Sequence, residues 1–245
     1  MNRELDWDGL FNVRDLGGLP LTDGAQTKFG CVVRSDHPSK ATPETWEGIW
    51  HYGIRTVISF QTAGLKPDRH AQENPDLGMP DHLRIKALRL PVQDAADVDY
   101  MRAWADTGLW GTPLFFRDAL VKWPSYYVDI LNRIASANGG VLLHCVRGHD
   151  RTGIVVALLL SLVGVRPEAV IEDYMHDSVR FASKAPDAHK NVNDALESAG
   201  TNLEAAFSIL NRPATLALLA RAGLTDDTLS TLRKKLIDGG LSHSR

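Results

Sequence analysis

The chain has 245 residues, 44% of them hydrophobic and 23% charged, with a net charge of −3. That length can bury a substantial core, so residues 1–245 are expected to form one domain, and the weak acidity excludes a general binder of nucleic acid or anionic membrane. The longest apolar run, Ile154 to Val165, is interrupted by Ser161 and Gly164 and is too short for stable membrane insertion; Met1 to Asp8 lacks a signal-peptide pattern, which points to a cytoplasmic protein, with export by another route left open.

In chain order, Cys31-Val32-Val33 begins a strand, and Thr42-Pro43 opens a helix that carries Trp46, Ile49 and Trp50 on one face and ends at Gly53. Ile54 to Phe60 is a strand, Gln61 to Pro80 a polar loop with at most a short helix, and Leu83 to Leu90 another strand. Helices are predicted over Pro113 to Lys122 and from Pro124, where Tyr127, Ile130, Leu131 and Ile134 follow helical spacing up to Gly139-Gly140. Val141 to Leu143 is a buried strand, and Gly153 to Leu160 a helix apolar all round, hence central. Pro167 starts a helix with Val170, Ile171, Tyr174 and Met175 inward, and the polar stretch 178–212 is a candidate lid or insertion. Helices near Leu203 to Leu210, Ala214 to Ala222 and Asp226 to Ile237 follow, the last capped by Thr225. Strands interleaved with helices predict an α/β fold, a central mostly parallel sheet flanked by helices.

The chemistry sits between the last strand and its helix, in His144-Cys145-Val146-Arg147-Gly148-His149-Asp150-Arg151-Thr152-Gly153. A strand, a short loop and a helix N-terminus present backbone N–H groups to an anion. The nucleophile would be the thiolate of Cys145, which needs acidifying by the helix N-terminus and nearby cations. Arg151 supplies a planar fork of donors for two phosphate oxygens, and the amides from Val146 to His149 complete the cradle. Gly148 and Gly153 allow a tight turn and a close helix approach. Thr152 is placed to hydrogen-bond the sulfur as it leaves, and His144 to orient the loop and bias the thiol toward thiolate.

This loop resembles the signature of cysteine-dependent protein tyrosine phosphatases, and Asp150 narrows the resemblance to the bacterial family whose loop reads HCxxGKDRTG. Phe11-Asn12-Val13-Arg14-Asp15-Leu16-Gly17-Gly18 is similar to that family's NxRDLGG element, and Val33-Arg34-Ser35-Asp36 to its RSD segment. Gly53 to Ile58, Gly164 to Tyr174 and Gly223 to Leu236 follow in the family's order. The resemblance implies a phosphatase-like fold with a helical lid and C-terminal helices, phosphomonoester hydrolysis through a phosphocysteine, and a phosphorylated protein or small phosphomonoester as substrate. Dual or lipid specificity stays open. One departure bears on it: the family's loop lysine, a permanent charge, is His149 here. Another is Ser59-Phe60-Gln61-Thr62, where the family carries an Asp-Leu-Arg run.

Expelling an alkoxide or aryl oxide calls for a general acid. Asp94, Asp97 and Asp99 follow the strand ending at Leu90, and the family's strand-Pro-x-x-Asp arrangement favours Asp94, with Asp150 in the loop as a further candidate. Cys31 reads as a buried thiol, Arg14, Asp15, Arg34 and Asp36 as a structural ion-pair network, and the aromatics Trp104, Trp110, Phe115, Phe116, Trp123, Tyr126 and Tyr127 as packing. The histidines show no HExxH and the chain no CxxC, so no metal or other cofactor is expected. Two other classes share the thiolate: a phospho-ligand binding module without turnover, and an arsenate reductase or sulfurtransferase, of which the arsenate reading needs a resolving cysteine.

Overall fold

The computed structural model describes residues 2–61, 72–73, 77–104, 106–107, 109–181, 188–211 and 213–238. Its strands are β1 (Arg14–Asp15), β2 (Val32–Ser35), β3 (Ile54–Ser59), β4 (Gln72–Glu73), β5 (Lys86–Arg89) and β6 (Gly140–His144), joined in one sheet of order β1-β2-β6-β3-β5-β4. The four central strands are parallel and the two edge pairings antiparallel. Because successive side chains leave a strand on opposite faces, the central strands feed two cores. Val33, Val57, Ala87 and Leu142 pack with Trp46 and Ile49 of α1 (Pro43–His51) on one side. Val32, Ile58, Leu88, Val141 and Leu143 join the larger core on the other.

That larger core is organised around α5 (Asp150–Val163), whose residues from Ile154 to Leu160 are all buried. A helix with no polar face needs cover on every side. It is supplied by the sheet, by α6 (Pro167–Phe181), by the turn Ile209–Asn211 and by α10 (Asp226–Arg233), while α4 (Pro124–Ser136), α8 (Leu203–Ser208) and α9 (Pro213–Arg221) contribute to the same core. Local chemistry sets the ends. Thr42 accepts from the Thr45 amide at the start of α1, and Thr225 does the same from Thr228 for α10. Gly164 closes α5 in the left-handed region at φ +94°.

Several elements differ from the sequence reading. The strand expected from Leu83 is confined to Lys86–Arg89, because Asp81–Leu83 forms a 3-10 turn and Arg84 reverses the chain at φ +50°. Gln72–Glu73, expected within a loop, pairs antiparallel with β5; two residues are too few to show a period. Most of that loop lies outside the described residues. A short helix, α2 (Val98–Trp104), was not anticipated, although Asp97 caps it by accepting from the Tyr100 amide at 3.0 Å. The helix expected from Pro113 begins as a 3-10 turn, Pro113–Phe115, before α3 (Phe116–Lys122). The helix after the loop starts at Asp150, so Gly153 sits inside its first turn. In the stretch 178–212, residues 182–187 and 212 lie outside the described residues; the rest holds the end of α6, α7 (Ala188–Ser198) with Val192 and Leu196 buried, and α8. Phe115, Phe116 and Tyr127 are core residues, while the Trp110 side chain is outside the described set.

A buried charge cluster locks β1 and β2 to α6. Asp173 receives Arg14 Nε at 2.9 Å and Arg34 Nη1 at 2.6 Å, and Arg3 closes the cluster. Arg14 Nη2 also donates to the Asp173 carbonyl at 2.6 Å. Burial alone would raise the Asp173 pKa, but the guanidinium charges of Arg14, Arg34 and Arg3 hold it below the usual carboxylate range. Asp15 and Asp36 work on backbone amides: Asp15 accepts from Gly17 and Gly30, Asp36 from Phe11 and Asn12. Replacing Asp173 by Asn leaves two buried guanidinium groups without their countercharge. The variant is expected to lose about 3–5 kcal/mol of stability, measured by urea unfolding at neutral pH.

Candidate active site

The carboxyl ends of β2, β3, β5 and β6 lie on one edge of the sheet, with Ser35 and Ser59 both in register with His144. In an open parallel sheet that edge is where ligands bind. The stretch from Cys145 to His149 leaves β6 there and enters α5, whose first hydrogen bond runs from the Gly153 amide to the His149 carbonyl at 2.5 Å. A side chain at Gly153 would meet the Tyr174 ring at 2.8 Å, so only glycine lets α6 pack this close.

Four consecutive carbonyls of this loop are held from outside. The Cys145 carbonyl accepts from His144 Nδ1 at 3.0 Å, and the Val146 carbonyl from the His37 amide at 3.0 Å. The Arg147 carbonyl accepts from Asn12 Nδ2 at 3.1 Å, and the Gly148 carbonyl from Arg34 Nη2 at 2.6 Å. In a trans peptide the N–H of the following residue points opposite to the carbonyl. The amides of Val146, Arg147, Gly148 and His149 therefore face the other side of the loop. Those of Val146, Arg147 and Gly148 make no backbone hydrogen bond among the described residues. Gly148 permits this at φ +71°, where a Cβ would overlap the Ser35 backbone.

Around the amides stand the side chains singled out from sequence. Cys145 is 1% exposed. Arg151 is anchored by Nη1 to the Phe60 carbonyl at 3.1 Å, and its Nε is buried without a partner among the described residues. Thr152 Oγ1 and Asp150 Oδ1 are likewise buried and unpartnered there. Arg147 is largely exposed, 3.6 Å from Asp150, and Val146 is half exposed at the loop's rim. His149 turns its ring away from the rim: Nε2 donates to the Gly111 carbonyl at 3.2 Å and the ring packs 4.8 Å from Tyr174. Among the described residues no group of three His, Cys, Asp or Glu side chains is placed to hold a metal ion.

The charge of His144 is set by its burial. Burial pushes its pKa from 6.5 down to about 3, so the ring is neutral at neutral pH and supplies no cation to Cys145. Its part is structural: Nδ1–H holds the Cys145 carbonyl, and the ring stands edge-on to His37 at 5.1 Å.

The three aspartates after β5 separate by their partners. Asp97 is bound by Lys122, which together with the Tyr100 amide lowers its pKa, and Asp99 is 95% exposed beside Arg102. Asp94 is half-buried, accepts from the Ala96 amide at 2.8 Å, and lies close enough to Tyr126 to raise that phenol's pKa after burial has done so. Sequence reasoning did not assign Asn12, His37, Phe60, Gly111 or Asp173 to the site. Asn12 and Asp173 stand in stretches recognised as motifs, but nothing in the spacing shows which carbonyl or guanidinium they meet.

Residues 5–238 match the model of a tyrosine phosphatase family, and the chain belongs to that family. A provisionally named tyrosine-protein phosphatase of Cupriavidus necator is 30% identical over 182 residues, covering 73% of this chain and 64% of the relative. A tyrosine-protein phosphatase of Nostoc commune is 27% identical over 147 residues, 58% of this chain and 46% of that protein. A triple specificity protein phosphatase, PtpB, of Mycobacterium tuberculosis is 26% identical over 205 residues, 70% of this chain and 68% of the relative. The chain thus spans less than two thirds of the first two of these relatives.

Two outcomes follow from the site's construction. Gly148→Ala forces a Cβ into the Ser35 backbone and an unfavourable φ, so it is expected to cost at least about 1 kcal/mol and to weaken inorganic phosphate binding, read by calorimetry. Buried neutral His144 lowers stability as pH falls from 6.5 toward 3, since over that window the unfolded chain binds a proton that the folded chain excludes. His144→Asn keeps a donor for the Cys145 carbonyl without titrating. Its stability should fall less steeply with acid, by up to about 1.4 kcal/mol per pH unit, in urea unfolding followed across that range.

Proposed function

We propose that this chain hydrolyses phosphomonoesters through a phosphocysteine intermediate and that its substrate is phosphotyrosine in proteins. The observation that carries the reading is the capture of four successive loop carbonyls, which turns the amides that follow them to the other side of the loop; in this reading the amides of residues 146–148 and the Arg151 guanidinium are the donors that face the Cys145 thiolate. Such a cradle suits the equatorial oxygens of a phosphoryl group in flight. The family membership and the names of the relatives agree with it.

In the first step the Cys145 thiolate attacks phosphorus. An S–P bond forms, the P–O bond to the substrate breaks, and the departing oxygen takes a proton from Asp94. In the second step water attacks the phosphocysteine and gives its proton to the Asp94 carboxylate; the new P–O bond releases phosphate and the thiolate. Arg151 and the loop amides hold the oxygens throughout, and Thr152 Oγ1 hydrogen-bonds the sulfur as it leaves. Asp94 is preferred as acid because Asp97 is committed to Lys122 and the cap of α2, and Asp99 points to solvent. Asp150, buried beneath the Gly111 turn, supports the loop. The reading as an arsenate reductase loses its resolving thiol. The Cys31 carbonyl is bonded to the Val141 amide at the start of the parallel pair β2 and β6, while Cys145 follows the far end of β6, about 13 Å away along the strand.

Cys145→Ser is expected to abolish turnover of p-nitrophenyl phosphate and of a phosphotyrosine peptide while phosphate binding persists. Undiminished turnover would overturn the assignment. Asp94→Asn should lower kcat by about 100-fold, with a larger loss on esters whose leaving oxide is more basic.

A further inference from the structure

We infer that His149 is a positioning residue, whose imidazole fastens the segment carrying Asp94 to the phosphate loop through the Gly111 carbonyl. The inference rests on the phosphatase reading above and assigns the loop's departure from lysine a task other than holding substrate. His149 is only 12% exposed, its Nε2 is spent on Gly111 at 3.2 Å, and its ring lies on Tyr174. A second donor, Tyr174 Oη, reaches the same carbonyl at 3.3 Å. The turn Leu109–Gly111 is thereby clamped against both the loop and α6. It also rests on Asp150, whose Oδ1 lies 3.6 Å from where a Gly111 Cβ would stand.

The clamp acts on a segment that is pinned near its other end. Between β5 and α3 the chain carries Asp94 early and Gly111 late, and Tyr127 Oη holds the Val92 carbonyl at 2.9 Å two residues before Asp94. Asp97 is tied to Lys122 on α3. Removing the His149 donor leaves Tyr174 Oη alone of these two on the Gly111 carbonyl and loosens the late end of the segment, while the phosphate cradle's own carbonyl bonds stay intact. A misplaced acid slows the step that needs its proton and leaves phosphate recognition alone.

Two donor-free variants, His149→Phe and His149→Ala, bracket the change in size, so misfolding of one leaves the other readable. For either folded variant, kcat on phenyl phosphate is expected to fall about 10-fold with KM within about 2-fold. The loss should be smaller on p-nitrophenyl phosphate, whose less basic leaving oxide depends less on a proton. His149→Gln, which restores a donor, should recover most of the rate. Unchanged kcat in the donor-free variants, an equal loss on both esters, or a loss confined to KM would overturn the positioning role. A wild-type protein that turns over neither ester would instead overturn the phosphatase reading itself.

Discussion

The outward pull on the carbonyls of Cys145, Val146, Arg147 and Gly148 is the constraint on which the rest of the site depends. A peptide plane has two polar ends, and fixing one fixes the other. Once His144, His37, Asn12 and Arg34 hold the oxygens, the nitrogens have no choice of side. A loop left to itself would turn those carbonyls to water, and an anion would then meet a mixed surface. The row of amides is therefore aimed by groups that stand behind it, on the carbonyl side of the loop.

Those outer groups are themselves held in a chain of dependence. Arg34 offers one nitrogen to Gly148 and the other to Asp173, so the position of α6 is written into the loop. Arg14 meets the same carboxylate and also holds Asn12, which in turn holds Arg147. Asp36 fixes the Phe11 and Asn12 amides from the end of β2. A buried ion cluster is a weak source of net stability, because desolvation offsets much of the attraction. Here it serves orientation, joining β1, β2 and a helix to one loop. Tyr174, one residue after Asp173, extends the reach of α6 to Gly153, His149 and Gly111.

The sequence and the structure agree best where a local rule operates. The parallel strands, the apolar helix α5, the proline and threonine helix starts and the loop spacing are all local patterns, and each is present. Disagreement collects where tertiary contact overrides pattern. Arg84 in the left-handed region cuts short a strand that its neighbours would extend, and α2 forms on a weak pattern with Asp97 as its cap. His144 shows the same effect in electrostatics. Its place beside the cysteine leaves its charge open, and complete burial keeps it neutral.

The ten residues from His144 to Gly153 by themselves put a cysteine, an arginine and a helix N-terminus on one loop after a strand, since spacing within one loop is a local property. Membership of the α/β class followed from alternation and helical periods for the same reason. What only the tertiary structure decided is which side of the loop each amide faces, which carboxylate gathers Arg14 and Arg34, and where the His149 ring goes. Apart from the bond between His144 and the neighbouring Cys145 carbonyl, the hydrogen bonds that give those answers join residues 38 to 159 positions apart, and no spacing rule reaches that far.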